Sequence, residues 1–566
     1  MTEAWNRRTI LTGAGALMAT GFALPALAQT STFATVSTMT TGPFVEVETA
    51  NGRLRGGHSR GALAFKGIPY AGPVAGANRF KAPPPPVSWT GVRDALMLGA
   101  PSIQPPHTTY GEQEPGYSEN CLVLNVWTPA CDGKRRPVMF YNHGGGYATG
   151  SAGSRGQDGA HLAATYDVVV VASNHRLGLL GYLYLGELGG EDYATSGNQG
   201  MLDIVAALQW VKTNISAFGG NPDNVMIFGE SGGGFKTGTL LAMPGAQGLF
   251  HKASVESGPA LWRMEKAVAT ETARRVLKGL GIGPGELHKL NDVPAQAILD
   301  IQMAGGKGPL GVASDGFTLV DDSLPGMHDA GWSSQIPGGF GPVVDDTVLP
   351  THPFAPEVTP LAAHIPLMVG NNRDEARFFF MSNPDIFKMD EAALNARMQK
   401  DFGPRAEKIL SVYRQTRPQA TPSELYLAIA TATSMGNDVV TIADRKSAQP
   451  APVYRYRCDY ESNFPIKGTD TTLKAGHATE ITLKFLSYDQ SGLEGNSPTL
   501  AGAAHNMSAL WASFARDSKP SAPGQPAWPV YDTSNRATML IDAECKVEND
   551  PNAVERQFWQ ELPAKA

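Results

Sequence analysis

Cysteine is nearly absent: Cys121, Cys131, Cys458 and Cys545 are spread over 566 positions. That is too few for a disulfide scaffold in so long a chain, and no Cys-x-x-Cys pair or histidine cluster has metal-ligand spacing. Charged residues make up only 17%, and the formal charge of −7 includes no long run of lysine or arginine. Phosphate binding needs a basic face, so the composition argues against nucleic acid as a partner. Beyond the N-terminus no segment is long and apolar enough to span a bilayer. Internal repeats and long low-complexity segments are also missing. A hydrophobic content of 42% is that of an ordinary globular protein, and the length suffices for a large core.

What is there begins with an export signal. Asn6-Arg7-Arg8-Thr9-Ile10-Leu11 carries a twin arginine, a mild apolar stretch follows to Leu24, and Pro25-Ala26-Leu27-Ala28 offers small residues for a signal peptidase. Residues 1–28 read as a twin-arginine signal peptide, which is too short and too rich in small residues for a stable membrane anchor. The mature chain, 29–566, is expected to be a single domain, periplasmic or secreted. An oxidising compartment permits disulfides without assigning them.

The chain is organised around Gly229-Glu230-Ser231-Gly232-Gly233. Residues 225–228 before it read as a buried strand and 235–243 after it as a helix. Strand, sharp turn and helix are the setting in which Gly-x-Ser-x-Gly exposes a strained serine. With 63 glycines the five letters alone prove little, and Gly57-His58-Ser59-Arg60-Gly61 matches them too. No buried strand is expected before Ser59 and no helix after it. Asn51-Gly52 between 45–49 and 53–55 signals a hairpin, and Ser59 reads as a turn residue.

Strands are expected at 122–127, 138–141 and 168–171, the last four valines in a row, as in a parallel sheet covered on both faces. A helix is expected at 201–215. Strand and helix alternate through Ser231, so the fold class is α/β with a mostly parallel sheet. Beyond residue 260 helices dominate, at 265–280, 295–303, 391–400, 405–414, 423–435 and 507–516. Strand character returns at 341–344, 366–370, 453–457 and 538–541, and no linker separates the helical insertions from the sheet.

A serine hydroxyl needs a base, and a histidine base needs a carboxylate to fix its tautomer. On this fold the order is Ser, acid, His. Asp374 and Glu375, just after the strand ending at Gly370, both qualify by spacing as the acid. Only His477 and His505 follow them among the twelve histidines. His477 falls in a loop, whereas His505 falls at the start of an expected helix and suits packing or solvation. His143-Gly144-Gly145-Gly146, after a strand, is suited to an oxyanion hole, joined by the N–H of Gly232.

Phe65-Lys66-Gly67-Ile68-Pro69-Tyr70-Ala71, 119–125, Asn174-His175-Arg176-Leu177-Gly178, 198–203, Gln209-Trp210, 218–222 and 228–231 occur in this order. Together they resemble signatures of the type-B carboxylesterase family, which includes cholinesterases and bacterial para-nitrobenzyl esterases. The resemblance runs from about 52 to 531. It implies an α/β-hydrolase fold with large helical insertions after the nucleophile turn, and hydrolysis of a small-molecule ester without metal or cofactor. It implies Ser231 as nucleophile, Glu375 as acid in preference to Asp374, and His477 as base. It further implies Gly145, Gly146 and Gly232 as oxyanion donors, Trp262 on the acyl side, and Phe378 and Phe379 near the gorge. Glu230 corresponds to a glutamate that lies near the bound cation in cholinesterases.

Three departures stand out. Asn120 replaces the usual Asp, so a neutral hydrogen bond would replace an ionic contact. The usual partner of Cys121 is missing around Ser102, leaving Cys131 as an alternative that sequence distance cannot decide. No tryptophan stands near Gly111 to hold a choline group. The expected substrates are therefore neutral esters, with Tyr110 or Phe378 only a partial substitute for that ring and Glu230 serving mainly the charged His477. A lactonase, thioesterase or amidase could use the same residues, and a binding or adhesion protein could share the fold. The oligomeric state is open.

Overall fold

The computed structural model describes residues 40–105, 115–259, 261–303, 339–490 and 492–562. The expected signal peptide, Tyr110 and the neighbourhood of Gly111 lie outside them. One thirteen-stranded sheet runs through the molecule. Its strands are β1 (Thr40–Thr49), β2 (Gly52–Ser59), β3 (Ala62–Pro69), β4 (Val92–Asp94), β5 (Val123–Thr128), β6 (Arg136–Asn142) and β7 (Val169–Ser173). After these come β8 (Gly220–Glu230), β9 (Lys252–Glu256), β10 (Leu367–Asn372), β11 (Val453–Cys458), β12 (Ala537–Ile541) and β13 (Lys546–Asn549). The spatial order is β1-β2-β3-β5-β7-β6-β8-β9-β10-β11-β12-β13, with β4 beside β2. Every pairing from β7 to β12 is parallel, and the hairpins at the two ends are antiparallel.

The alternation of side chains along a strand explains why the central strands read as unbroken apolar runs. Val138, Phe140, Val169, Val171, Val225, Ile227, Val255 and Val369 face one core. Met139, Tyr141, Val170, Met226, Phe228, Met368 and Tyr456 face the other. Helix Gln199–Asn214 seals the first core with Ile204, Leu208 and Val211, spaced three and four apart. Helix Leu500–Asp517 seals the second with Met507, Leu510, Trp511 and Phe514. Each such side chain contributes about 1.5–3 kcal/mol on burial. That sum, rather than helix or strand propensity, fixes the register. A third cluster, with Leu394, Met398, Ile409, Tyr413 and Tyr426, fills the helices inserted between β10 and β11.

Several sequence expectations are corrected. The first hairpin is present, but Thr49 pairs with Gly52, so Ala50-Asn51 is the turn rather than Asn51-Gly52. A strand does precede Ser59, with Leu54, Gly56 and Gly57 buried. Ser59 pairs with Ala62 around the left-handed turn Arg60-Gly61, and β3 is a strand absent from the sequence expectations. Residues 343–344 do not join the main sheet; they pair with Met264–Glu265. The helix expected at 423–435 spans Pro422–Thr431, followed by a π-helical turn and helix Asn437–Lys446. His505 lies within its helix rather than at the start, because that helix begins at Leu500. All four cysteines are free, so Cys121 is not bonded to Cys131. Asn120 is exposed and only its backbone N–H is bonded, to Ser118 Oγ. The ionic contact here belongs to its neighbour Glu119, which pairs with Arg79 at 2.6 Å.

Candidate active site

The side chains with chemistry gather at the carboxyl ends of the parallel strands, where such sheets place their sites. At the end of β8 the backbone of Ser231 turns to φ 58°, ψ −122°, and helix Gly232–Leu240 begins at the next residue. The Ser231 N–H donates to Glu256 O at 2.9 Å, and its carbonyl accepts from the Phe235 N–H at 3.0 Å. This conformation is rare for a residue with a side chain and costs about 1–3 kcal/mol. It lifts the hydroxyl out of the sheet, and Ser231 is half-buried while Glu230 and Gly232 on either side are buried.

The loop after β6 packs onto this turn. Gly146 approaches Gly232 so closely that a Cβ on Gly232 would stand 2.2 Å from Gly146 O. Gly145 and Gly146 are in left-handed backbone. Lys236, fully buried on helix Gly232–Leu240, donates to His143 O at 2.9 Å and ties the loop to that helix. His143 stacks on His175 at 4.5 Å. Burial pushes the Lys236 ammonium well below its usual range, and burial with the Lys236 and His143 charges does the same to His175.

His477 sits in the loop between strand Thr472–Lys474 and helix Ile481–Phe485. Its Nδ1 is 2.6 Å from Glu375 Oε2. The other oxygen of Glu375 accepts from Ser257 Oγ and from the Asn372 N–H, both at 2.6 Å. Asp374 turns elsewhere and pairs with Arg373. Geometry therefore separates two carboxylates that spacing alone leaves equivalent. Glu375 is fully buried and accepts three hydrogen bonds, one of them from His477 Nδ1, whose proton this contact positions. On the opposite side, His477 Nε2 lies 3.3 Å from Glu230 Oε1.

Burial raises the Glu230 carboxyl, to about 8. For His477, burial opposes the charged form, but the Glu230 and Glu375 carboxylates outweigh it and raise the imidazole. Glu230 and His477 face each other, so their titration belongs to the pair rather than to either residue.

Phe378 and Phe379, on helix Ala376–Phe380, place their rings 5.6 and 4.7 Å from the imidazole. Trp262 is half-buried and stands edge-on to His352 at 4.8 Å, while its neighbour Arg263 bonds Thr239 and Phe235 on the helix after Ser231. The structure thus brings together Ser231, Glu230, Gly146, Gly232, His477, Glu375, Phe378 and Phe379. It leaves two sequence alternatives outside. Ser59 ends β2, across β3, β5, β7 and β6 from β8. His505 is exposed against Tyr166.

Sequence reasoning missed the roles of Ser257, Asn372, Glu256, Glu480 and Lys484. Ser254 and Trp511 contact Glu256 Oε1, and Lys484 contacts both Glu256 and Glu480. The available signal was a charge set within an apolar run, as Lys484 is between Leu483 and Phe485.

The sequence pattern of the carboxylesterase family matches residues 43–559. The chain is 36% identical over 521 residues to the para-nitrobenzyl esterase of Bacillus subtilis (strain 168), covering 90% of this chain and 97% of that protein. It is 31% identical over 540 residues to the human cocaine esterase, covering 90% and 89%. Among solved structures, a Geobacillus stearothermophilus carboxylesterase at pH 6.2 superposes with a TM-score of 0.77 at 39% identity, covering 91% of this chain and all of that one.

The titration of the pair yields a prediction. A neutral imidazole is required for a base, and the carboxylates favour its protonated form. kcat/KM should therefore fall as pH drops through an apparent pKa above the ordinary imidazole value of about 6.5. Glu230→Gln removes one carboxylate and should move this acid limb down by about 1 pH unit. A limb that stays in place would show that Glu230 does not act on His477.

Proposed function

The chain belongs to the carboxylesterase family and is a carboxylic ester hydrolase of α/β-hydrolase fold, and from this premise we propose that Ser231, His477 and Glu375 carry the reaction. Ser231 Oγ attacks the ester carbonyl carbon while His477 Nε2 takes its proton. The N–H groups of Gly145, Gly146 and Gly232 receive the negative charge that develops on the carbonyl oxygen. The intermediate collapses to an acyl-enzyme, and His477 returns the proton to the leaving alcohol. Water then attacks the acyl carbon with His477 again as base, and Ser231 is released. Glu375 keeps its hydrogen bond to His477 Nδ1 throughout and stabilises the imidazolium. The observation that carries this reading is the 2.6 Å contact of His477 Nδ1 with Glu375, which turns Nε2 to the opposite side, where Glu230, the residue before Ser231, lies 3.3 Å away.

The substrates are neutral esters with modest apolar acyl groups, bounded by Trp262, Phe378 and Phe379. Glu230 taken alone would favour a cationic alcohol. Its carboxyl is held up by burial, however, and its nearest charge is His477. A quaternary ammonium also wants an aromatic face, worth about 0.5–2 kcal/mol, and the sequence has no tryptophan near Gly111 to provide it. The chain is exported through its twin-arginine signal and acts in the periplasm or outside the cell. Among the described residues no helix is long and apolar enough to cross a membrane.

Ser231→Ala should abolish hydrolysis, by roughly a millionfold in kcat, with an unchanged thermal melt. Ser59→Ala should be nearly silent. His477→Ala should match Ser231→Ala, and Glu375→Gln should lose less, roughly ten-thousandfold. Full activity in Ser231→Ala would place the nucleophile elsewhere. For substrate, kcat/KM for a choline ester should not exceed that for an uncharged ester of the same acyl group and similar alcohol size. A clear choline preference would reverse the role given to Glu230. For export, Arg7→Lys with Arg8→Lys should trap folded, active enzyme in the cytoplasm. Normal export of that variant would remove the twin-arginine assignment.

A further inference from the structure

Beside the imidazole lies a second buried ionic cluster that the acyl-transfer steps do not use. Lys484, on helix Ile481–Phe485, has a fully buried side chain. Its Nζ is 2.5 Å from Glu256 Oε2 and 3.3 Å from Glu480 Oε1. The Trp511 ring lies 5.7 Å from the ammonium. Glu256 ends β9, and its other oxygen accepts from Trp511 Nε1 at 2.5 Å and from Ser254 Oγ at 2.8 Å. The backbone carbonyl of Glu256 is the acceptor for the Ser231 N–H. Glu480, three residues after His477, accepts from Asn372 Nδ2 at 2.6 Å through its second oxygen. Asn372 in turn donates its backbone N–H to Glu375.

Lys484 therefore joins two chains of contacts. One leads through Glu256 to the backbone of the nucleophile turn. The other leads through Glu480 and Asn372 to the carboxylate that orients His477. We propose that Lys484 is a positioning residue for ester hydrolysis: its ammonium clamps Glu256 to Glu480, so fixing the His477 loop against the serine turn, and offsets the charge of both carboxylates at the imidazole. The proposal rests on His477 being the base.

Stability alone is a poor reason for this arrangement. Buried ion clusters of this kind are commonly no more stable than apolar residues of the same volume, and Leu483 and Phe485 beside Lys484 pack in an apolar core. The electrostatic consequence is specific. His477 faces Glu230 from β8, Glu375 from the segment after β10, and Glu480 from its own segment. Lys484 faces Glu256 from β9, Glu480, and at longer range Glu230. From β11, Tyr456 and Cys458 are held neutral by burial and by these same carboxylates. Three carboxylates thus act on one imidazole, and Lys484 is the ammonium that pairs with one of them, Glu480, and ties it to a fourth, Glu256. Without it, Glu256 and Glu480 would add to the pull of Glu230 and Glu375 on the His477 proton, and the base would be lost at a higher pH.

The test is the pH dependence of kcat/KM on an uncharged aryl ester for the full-length enzyme and for Lys484→Met, Glu256→Gln and the double variant. Loss of the ammonium should move the acid limb up, by at least about 0.5 pH unit, and loss of the Glu256 charge should move it down. The double variant should return towards the wild-type limb and recover activity lost in Lys484→Met. Parallel losses of activity with unshifted limbs would mean a purely structural role and overturn the proposal, as would strictly additive damage in the double variant. If Lys484→Met does not fold by thermal melt, Glu256→Gln alone decides, and an unshifted limb in that folded variant overturns the proposal. Retained activity in His477→Ala would be a distinct result, striking the base assignment rather than the clamp.

Discussion

Everything in the site depends on three backbone segments meeting at Ser231 with no room for side chains between them. A Cβ on Gly258 would stand 2.1 Å from Ser231 O, and one on Gly232 would stand 2.2 Å from Gly146 O. Only this close approach lets the loop after β6, the turn after β8 and the segment after β9 share one small volume. The strain at Ser231 is about 1–3 kcal/mol, comparable to the two backbone hydrogen bonds that hold it, at about 1 kcal/mol each. The surplus that keeps it comes from the sheet. Parallel pairing aligns Asn142 with Gly229 and Glu230 with Glu256, and the two cores behind those strands resist any slip in register.

Electrostatics then divides the labour among residues that look alike in composition. Glu375 and Glu230 are both buried carboxylates beside one imidazole, yet Glu375 accepts three hydrogen bonds and Glu230 meets chiefly His477. In the proposed mechanism the bonded one orients the imidazole, while the other, raised by burial, titrates together with it. Lys236 makes the complementary case on the oxyanion side. Burial pushes its ammonium well below the usual range, and it anchors His143 O through a 2.9 Å hydrogen bond. In the proposed mechanism the oxyanion is met by backbone N–H dipoles and the nearby imidazolium, which are in place before charge develops and need no reorganisation.

The sequence disclosed the parts of this arrangement that are local or follow chain order. Unbroken apolar runs marked the strands at 225–228 and 168–171, the flanking elements singled out Ser231 over Ser59, and chain order left two histidines. Long-range partnership was illegible. Ser257 and Glu375 are 118 residues apart, and Lys484 and Glu256 are 228 apart, so nothing in either segment names its partner. Asp374 and Glu375 illustrate the same limit at short range. They are adjacent, and only the tertiary placement of Arg373 and His477 decides which carboxylate turns inward. The missed strand β3 and the shifted hairpin turn have a different cause. β3 folds back on β2 through left-handed Arg60 and Gly61, and the first turn is set by the pairing of Thr49 with Gly52; in both places the ladder rather than the local sequence decides.

One coupling follows from where the acid sits. Glu375 immediately precedes helix Ala376–Phe380, so the orienting carboxylate and the aromatic rings of Phe378 and Phe379 ride on one rigid segment. Those rings cover a face of His477 at 5.6 and 4.7 Å while carboxylates approach its nitrogens. Excluding water from that face lowers the local dielectric and strengthens every charge interaction the imidazole makes. On the proposed function, the wall that bounds the substrate is therefore also part of what sets the proton affinity of the base. Enlarging the pocket at Phe379 would admit water to the imidazole as well as a larger acyl group. In this enzyme, specificity and basicity are not independent variables: a change in substrate range obtained at Phe378 or Phe379 carries a change in pH dependence with it.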